Sequence, residues 1–249
     1  MDLFQSLVLG VIQGITEWLP ISSQGQVMVL AMRVFGLTVQ ESVSHSLFLH
    51  VGTLAAATVY FRHEIRELLA WKDPKLARFL FVTLLATGVT AVPSLLLLKK
   101  LALNTRLVMP VIGFFLVATG LLELFAHLGR HGFFTKKNAV LLGLAQGFSV
   151  LPGISRSGTT TSVLLLEGFK PEQAFRLSFL LSIPTVAAAE VLFGAAEGFV
   201  PDPNIWLGVL ASFTVGYASI GVLLKFAERI NFGWWCVGFG AFYLLISVL

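Results

Sequence analysis

Gln13-Gly-Ile-Thr-Glu-Trp-Leu-Pro-Ile-Ser-Ser-Gln-Gly25 interrupts an otherwise apolar N-terminal run, and Gln146-Gly-Phe-Ser-Val-Leu-Pro-Gly-Ile-Ser-Arg-Ser-Gly158 interrupts a second run in the same way. Each stretch sets Pro, Gly and Ser, which break helices, between short apolar segments. These segments are Asp2 to Leu19 and Gly25 to Leu37 around the first break, and Ala139 to Leu151 and Gly158 to Phe169 around the second. A bilayer core of about 30 Å takes about 20 helical residues, so the four segments read as two helical hairpins, each entering and leaving on one side. Irregular backbone at membrane depth survives only where protein or a wet cavity satisfies its N–H and C=O groups. Both breaks are therefore expected to line a cavity.

The rest of the chain supplies the membrane. Of its 249 residues, 56% are hydrophobic and 12% charged, about half the charge of a soluble domain, and the mean hydropathy is +0.87. The 22 Phe and 5 Trp exceed what a soluble core of this size must hide, and the excess calls for lipid. Runs from Phe79 to Leu98, Leu107 to Leu122 and Ile205 to Leu224 carry no charge. Ser46 to Phe61, Leu177 to Val200 with Glu190 inside it, and Gly233 to Leu249, opened by Trp234 and Trp235 at interface depth, complete six expected spans. The basic balance does not point to nucleic acid, because the basic residues flank apolar runs, where anionic lipid and the positive-inside bias account for them. One cysteine, Cys236, excludes an intramolecular disulfide and reads as an apolar filler. The N-terminus does not read as a removable signal peptide, and the acidic and basic residues from Arg62 to Arg78 read as a solvated cytoplasmic segment.

The two breaks repeat one another. Gln13-Gly14, Ser22 and Gly25 recur as Gln146-Gly147, Ser155 and Gly158 at an offset of 133, and Leu49-His-Val-Gly-Thr53 is echoed by Leu181-Ser-Ile-Pro-Thr185 at 132. One membrane domain over 1–249 with internal repeats of approximately 1–126 and 139–249 follows. Each repeat holds a re-entrant hairpin and three spans, and an odd number of spans inverts the second copy. The expected fold is thus an all-α integral membrane protein of six transmembrane helices plus two re-entrant helical hairpins in an inverted-topology repeat, with its site near the midplane. This topology gathers 13 of the 17 Lys and Arg on one side, which the positive-inside rule makes cytoplasmic. Both termini then face outward from the plasma (inner) membrane.

Charge at bilayer depth is costly and by default functional. Glu17 lies one turn from Gln13, so the two share a helix face; the carboxylate could bind a hard divalent cation, act as a base or pair with an arginine. Arg156 precedes an apolar half-helix. Backbone N–H groups at that helix start favour an anion, Gly153 and Gly158 let an oxyanion approach, and Ser155, Ser157 and Thr159 add hydroxyls that could equally cap the helix. Arg156 adds a planar fork suited to phosphate. The Gly-Lys-Ser/Thr ending of a P-loop is absent. Ser22 and Ser23 are a candidate nucleophile pair or caps. His50, on an otherwise apolar face, is a candidate base, although a lone histidine there is more often a packing residue. His45, His63, His127 and His131 fall near span ends, and Glu190 is isolated, far from either break, where it could neutralise a buried charge.

At Gln13 to Ser23 and at Pro152 to Thr160 the chain resembles the undecaprenyl pyrophosphate phosphatase family, the BacA-type enzymes linked to bacitracin resistance, and the resemblance covers nearly the whole chain. It implies six spans with two re-entrant hairpins, and an integral-membrane phosphatase. Such an enzyme removes the terminal phosphate of a C55 polyprenyl diphosphate, with Mg²⁺ or Ca²⁺, to regenerate the lipid carrier for cell-wall glycans. The family's paired Glu/Gln positions fall on Gln13 and Glu17, which the resemblance makes metal ligands. Its serine pair falls on Ser22 and Ser23, and its phosphate-binding arginine on Arg156. Where the family usually has histidine, three residues after the second serine, this chain has Gln26, whose amide accepts no proton near neutral pH. Glu17, a metal-bound water or His50 is expected to stand in. The expected mechanism brings the diphosphate to the junction of the hairpins, where Ser23 or a water held by Glu17 attacks. The competing class is a polyprenyl-phosphate transporter or flippase that binds without hydrolysing; a purely structural role leaves Glu17 and Arg156 without a reason. The bilayer and the lipid diphosphate are the expected partners, and the sequence leaves assembly open, a homodimer included.

Overall fold

Caps written in the sequence set where the helices begin. In the computed structural model, which describes residues 1–102, 105–126, 132–197, 203–226 and 232–248, every regular element among the described residues is helical. Asp2 and Gln5 form a reciprocal cap on α1 (Leu3–Thr16), Ser22 caps α2 (Ser23–Arg33), and Thr38 with Glu41 caps α3 (Val39–Tyr60). After α4 (Arg62–Leu69), Asp73 accepts from the amides of Lys75 and Leu76 ahead of Pro74. Proline is favoured at a first helical position, and α5 (Pro74–Ala102) starts there, five residues earlier than the expected apolar run. The chain continues through α6 (Thr105–Phe125), α7 (Lys136–Gly147), α8 (Arg156–Leu166), α9 (Pro171–Glu197), α10 (Ile205–Phe226) and α11 (Gly233–Val248). Residues 127–131, with His127 and His131, lie outside the described residues.

Five helices, α3, α5, α6, α9 and α10, are long and apolar enough to cross a membrane. Their outward positions, such as Phe81, Val89, Phe114 and Leu210, are exposed large apolar side chains. The sixth expected span, α11, has 16 residues and so reaches about 24 Å at about 1.5 Å per residue. The charged residues from Arg62 to Arg78 are exposed, Glu64 apart, which is half-buried, while α4 turns Ile65 and Leu68, three residues apart on one face, onto the buried cluster of Trp18, Phe61 and Phe179.

Small residues let the backbones meet. The short helix α1 packs on α10, where a β-carbon at Gly10 would lie 2.1 Å from the Gly208 carbonyl oxygen. The short helix α7 packs on α5 in the same manner, with Gly143 against the Thr83 carbonyl and Gly147 against that of Thr87. Between lipid-facing helices association rests on such close packing rather than on the hydrophobic effect. Cys236 is buried, as a filler would be, and its thiol also donates to the Pro20 carbonyl at 2.7 Å.

The two breaks touch directly. Ser22 takes a left-handed backbone, φ 61°, and its hydroxyl accepts from the amides of Gly25 at 3.3 Å and Gly153 at 3.2 Å. That conformation costs a non-glycine residue about 1–2 kcal/mol, and the two bonds offset it. Gly153 at φ 99° could not carry a side chain, since a β-carbon would sit 2.4 Å from the Ile112 carbonyl oxygen. Ser157 donates to the Leu19 carbonyl at 3.0 Å.

Candidate active site

Glu17 caps the C-terminal end of α1, and side chains from four helices converge on its buried carboxylate. Gln13, one turn back, donates from Nε2 to Oε2 at 2.9 Å, and Ser23, the first residue of α2, donates from Oγ to the same oxygen at 2.7 Å. His50 on α3 brings Nε2 to 3.2 Å from Oε2. Arg156, the first residue of α8, gives an Nη2 bond of 2.7 Å to Oε1 and an Nη1 bond of 3.1 Å to the Ser178 carbonyl on α9. One carboxylate thus ties the first break to the second.

The histidine's protonation follows from its partners. Nδ1 lies 2.6 Å from the Ser46 carbonyl, which can only accept, and Nε2 faces a carboxylate, which when ionised also only accepts. Both nitrogens therefore carry protons, and His50 is an imidazolium. One negative charge on Glu17 meets two positive ones, on His50 and Arg156, leaving the cluster a net positive charge in a buried place. Arg156 Nε is buried without a partner, so the guanidinium has donor capacity left for an anion.

The cluster lines a cavity of about 280 Å³. Ser22, Ser23, Gln24, Ser155 and Ser157 join Glu17, His50 and Arg156 on its wall, and Leu84, Ala91, Leu95, Leu98 and Leu192 are among its aliphatic residues. A lining that is part polar and part aliphatic suits an amphiphile with an anionic head.

The other expected residues divide. Ser155 caps the Gly158 amide at 3.1 Å and lies 3.2 Å from the Ser157 hydroxyl, so these two are committed to loop structure while still bordering the cavity. Gly153 holds the loop contact, and Gly158 makes room for Glu123, whose Oε1 would be 2.3 Å from a β-carbon there. Thr159 and Gln13 are buried off the cavity wall. Gln26 is also not on the wall: its amide donates to the Ile21 carbonyl at 3.0 Å and accepts from the Tyr243 hydroxyl.

Glu190, far from either break in sequence and expected at most to neutralise a buried charge, is carried by α9 to the same cavity. Gln146 was missed as a site residue. Its Nε2 donates to the hydroxyls of Thr87 at 2.9 Å and Thr185 at 3.1 Å, and it too lines the cavity. The signal for it was present, since Gln146 is the repeat partner of Gln13. Ser178, which holds Arg156 through its carbonyl and Thr160 through its hydroxyl at 2.6 Å, had no signal.

Comparison with known proteins gives the family. The family model described as bacitracin resistance protein BacA matches residues 6–242. A protein of Methanothrix thermoacetophila named undecaprenyl-diphosphatase is 39% identical over 254 residues, covering 100% of this chain and 98% of that protein. Proteins of the same name from Methanococcoides burtonii and Haloarcula marismortui are 35% and 38% identical, covering 100% and 94% of this chain and 100% and 93% of their own lengths.

Proposed function

This chain belongs to the bacitracin resistance protein BacA family, and on that premise we propose that it is a multi-pass membrane hydrolase that cleaves undecaprenyl diphosphate to the monophosphate and inorganic phosphate. The product is the lipid carrier that cell-wall glycan synthesis reuses. The observation that carries this reading is the Glu17 carboxylate, which holds Ser23 at 2.7 Å on one oxygen and Arg156 at 2.7 Å on the other.

A serine hydroxyl attacks only with a base at hand, and Glu17 is that base for Ser23. Oγ bonds to the terminal phosphorus as the bond from that phosphorus to the bridging oxygen breaks, the lipid monophosphate leaves, and the serine proton passes to Glu17. Water then releases phosphate from the serine and the proton returns. Such transfer depends on positioning and on fixed charge around the transferred group. Arg156 and the His50 imidazolium supply that charge, and the aliphatic part of the cavity takes the adjoining part of the chain.

The family resemblance also implies Mg²⁺ or Ca²⁺ on Glu17 and Gln13. Gln13 Oε1 is buried without a partner and would accept a cation. Glu17 does not fit the role: its two oxygens already receive four donors, two of them cationic. No step here runs through a cation at that carboxylate.

The same reading makes α1–α2 and α7–α8 re-entrant hairpins, α11 a sixth span, and repeats of approximately 1–126 and 139–249 inverted copies. Support comes from the glycine pairs Gly10/Gly14 and Gly143/Gly147, which stand at one offset and pack α1 and α7 on long apolar helices. The location is the plasma membrane with both termini outside. Phosphate release from undecaprenyl diphosphate in detergent tests the activity. Release by the wild type that Ser23→Ala and Arg156→Ala lose is expected; lipid diphosphate binding without release would overturn hydrolysis. Mass measurement of the same sample decides between monomer and homodimer.

A further inference from the structure

Glu190 is a carboxylate on the apolar helix α9, on the wall of the cavity that holds Glu17 and His50, and among the described residues it has no hydrogen-bond or ion-pair partner. A carboxylate on a membrane helix is costly unless something compensates it. Its neighbours sharpen the question. Arg156 is engaged by Glu17 and Ser178, and His50 by Glu17 and Ser46, although His50 and Glu190 are near enough for their charges to interact.

A second feature of the same cavity points to the same kind of ligand. The Thr87 and Thr185 hydroxyls give their protons to the carbonyls of Thr83 and Leu181, each at 2.8 Å or less. Both hydroxyls can therefore only accept from Gln146, which fixes its amide with Nε2 toward them. Gln146 Oε1 is left fully buried with no donor. Two residues of the cavity wall thus carry oxygens with no donor, one a carboxylate and one an amide, and neither is a partner for an anion.

Charge balance then points to a further species. The single net positive charge of Glu17, His50 and Arg156 is less than the negative charge that a diphosphate brings. A hard divalent cation is held by one or two carboxylates together with substrate phosphate oxygens, and Glu190 is the carboxylate with oxygens to give. We propose that Glu190, with the Gln146 Oε1 as a further oxygen of the same cavity, is the protein's seat for a divalent cation that enters with the diphosphate, in place of Glu17 and Gln13. This rests on the hydrolase reading for the identity of the anion.

Mn²⁺ affinity, read by electron paramagnetic resonance on the purified protein with methylenediphosphonate, a diphosphate that is not cleaved, tests the seat independently of turnover. Glu190→Gln is expected to weaken Mn²⁺ binding about tenfold or more, a loss typical of damage to a metal site. Glu190→Asp should retain part of the affinity and guards against a folding defect. Glu17→Gln, which leaves Arg156 and His50 without their carboxylate, should weaken Mn²⁺ binding less than Glu190→Gln does. Wild-type Mn²⁺ affinity in Glu190→Gln, or its loss in Glu17→Gln alone, would overturn the proposal. A wild type that binds Mn²⁺ through Glu190 but releases no phosphate from the lipid would instead overturn hydrolysis and leave the cation seat standing.

Discussion

At the scale of single residues, Glu17 decides the site because removing it strands two cations. Glu17→Gln keeps the shape but removes the base and the charge, and phosphate release should fall roughly 10²- to 10⁴-fold, the range for a positioned general base. Truncation to Ala should also lower the thermal midpoint, since breaking a buried ion pair costs roughly 3–5 kcal/mol. Gln26 tests the opposite case. Because it is bound to Ile21 and Tyr243 away from the cavity wall, Gln26→His should not raise phosphate release; an increase would mean that α2 rotates to present this position to the substrate. Glu17 and Arg156 were legible in sequence because charge at bilayer depth has few explanations. Ser23 was legible only beside them, and His50 only as an alternative to packing, since neither residue type is costly enough on its own to demand a role.

At the scale of elements, two kinds of contact can be checked. Gly10→Ala and Gly147→Ala each drive a β-carbon into backbone, at 2.1 Å from the Gly208 oxygen and 2.5 Å from that of Thr87. Overpacking of this kind costs about 1–3 kcal/mol, so both should lower the midpoint of thermal unfolding in detergent. Gly238→Ala, where nothing lies within 4 Å, should not. The end of α8 offers a pH test. Glu167, beyond the last residue of that helix, has both oxygens buried without partners, and burial holds its carboxyl up at about 7. A folded-state value raised above the ordinary 4.5 means that stability is lost as pH rises between the two values, because the unfolded chain ionises first. Glu167→Gln should therefore be neutral at pH 4 and stabilising at pH 8. Equal midpoints for the two proteins at pH 8 would show that water reaches the carboxylate.

At the scale of the molecule, contacts far apart in sequence sort the helix ends into two faces. Asn204 donates to the Met1 carbonyl at 2.9 Å and Arg33 to that of Ile246 at 3.1 Å, which brings both termini to one face. Arg176 pairs with Glu64, and the rings of Phe79, Phe134 and Phe169 meet in tilted pairs, at the opposite one. If the basic face is cytoplasmic, Arg33→Cys and Asn204→Cys should react with an impermeant maleimide on whole cells, and Lys72→Cys and Lys137→Cys only after permeabilisation. The native Cys236 is buried and gives little background. The reverse labelling pattern would invert the orientation without altering the site.

What the sequence determined by itself is what hydrophobic length, helix breakers and the cost of buried charge can determine: an all-helical chain, two breaks that converge on a cavity, and Glu17 and Arg156 within it. These are local or additive properties, legible wherever they occur. Tertiary structure alone decided which of several polar groups share a wall. It turned Gln26 toward Tyr243, gave His50 two acceptors, and brought Glu190 and Gln146 into the cavity that Glu17 occupies. Those outcomes depend on how helices rotate and cross against one another, and that is set by glycine contacts between segments up to about 200 residues apart in the chain, which no local pattern encodes.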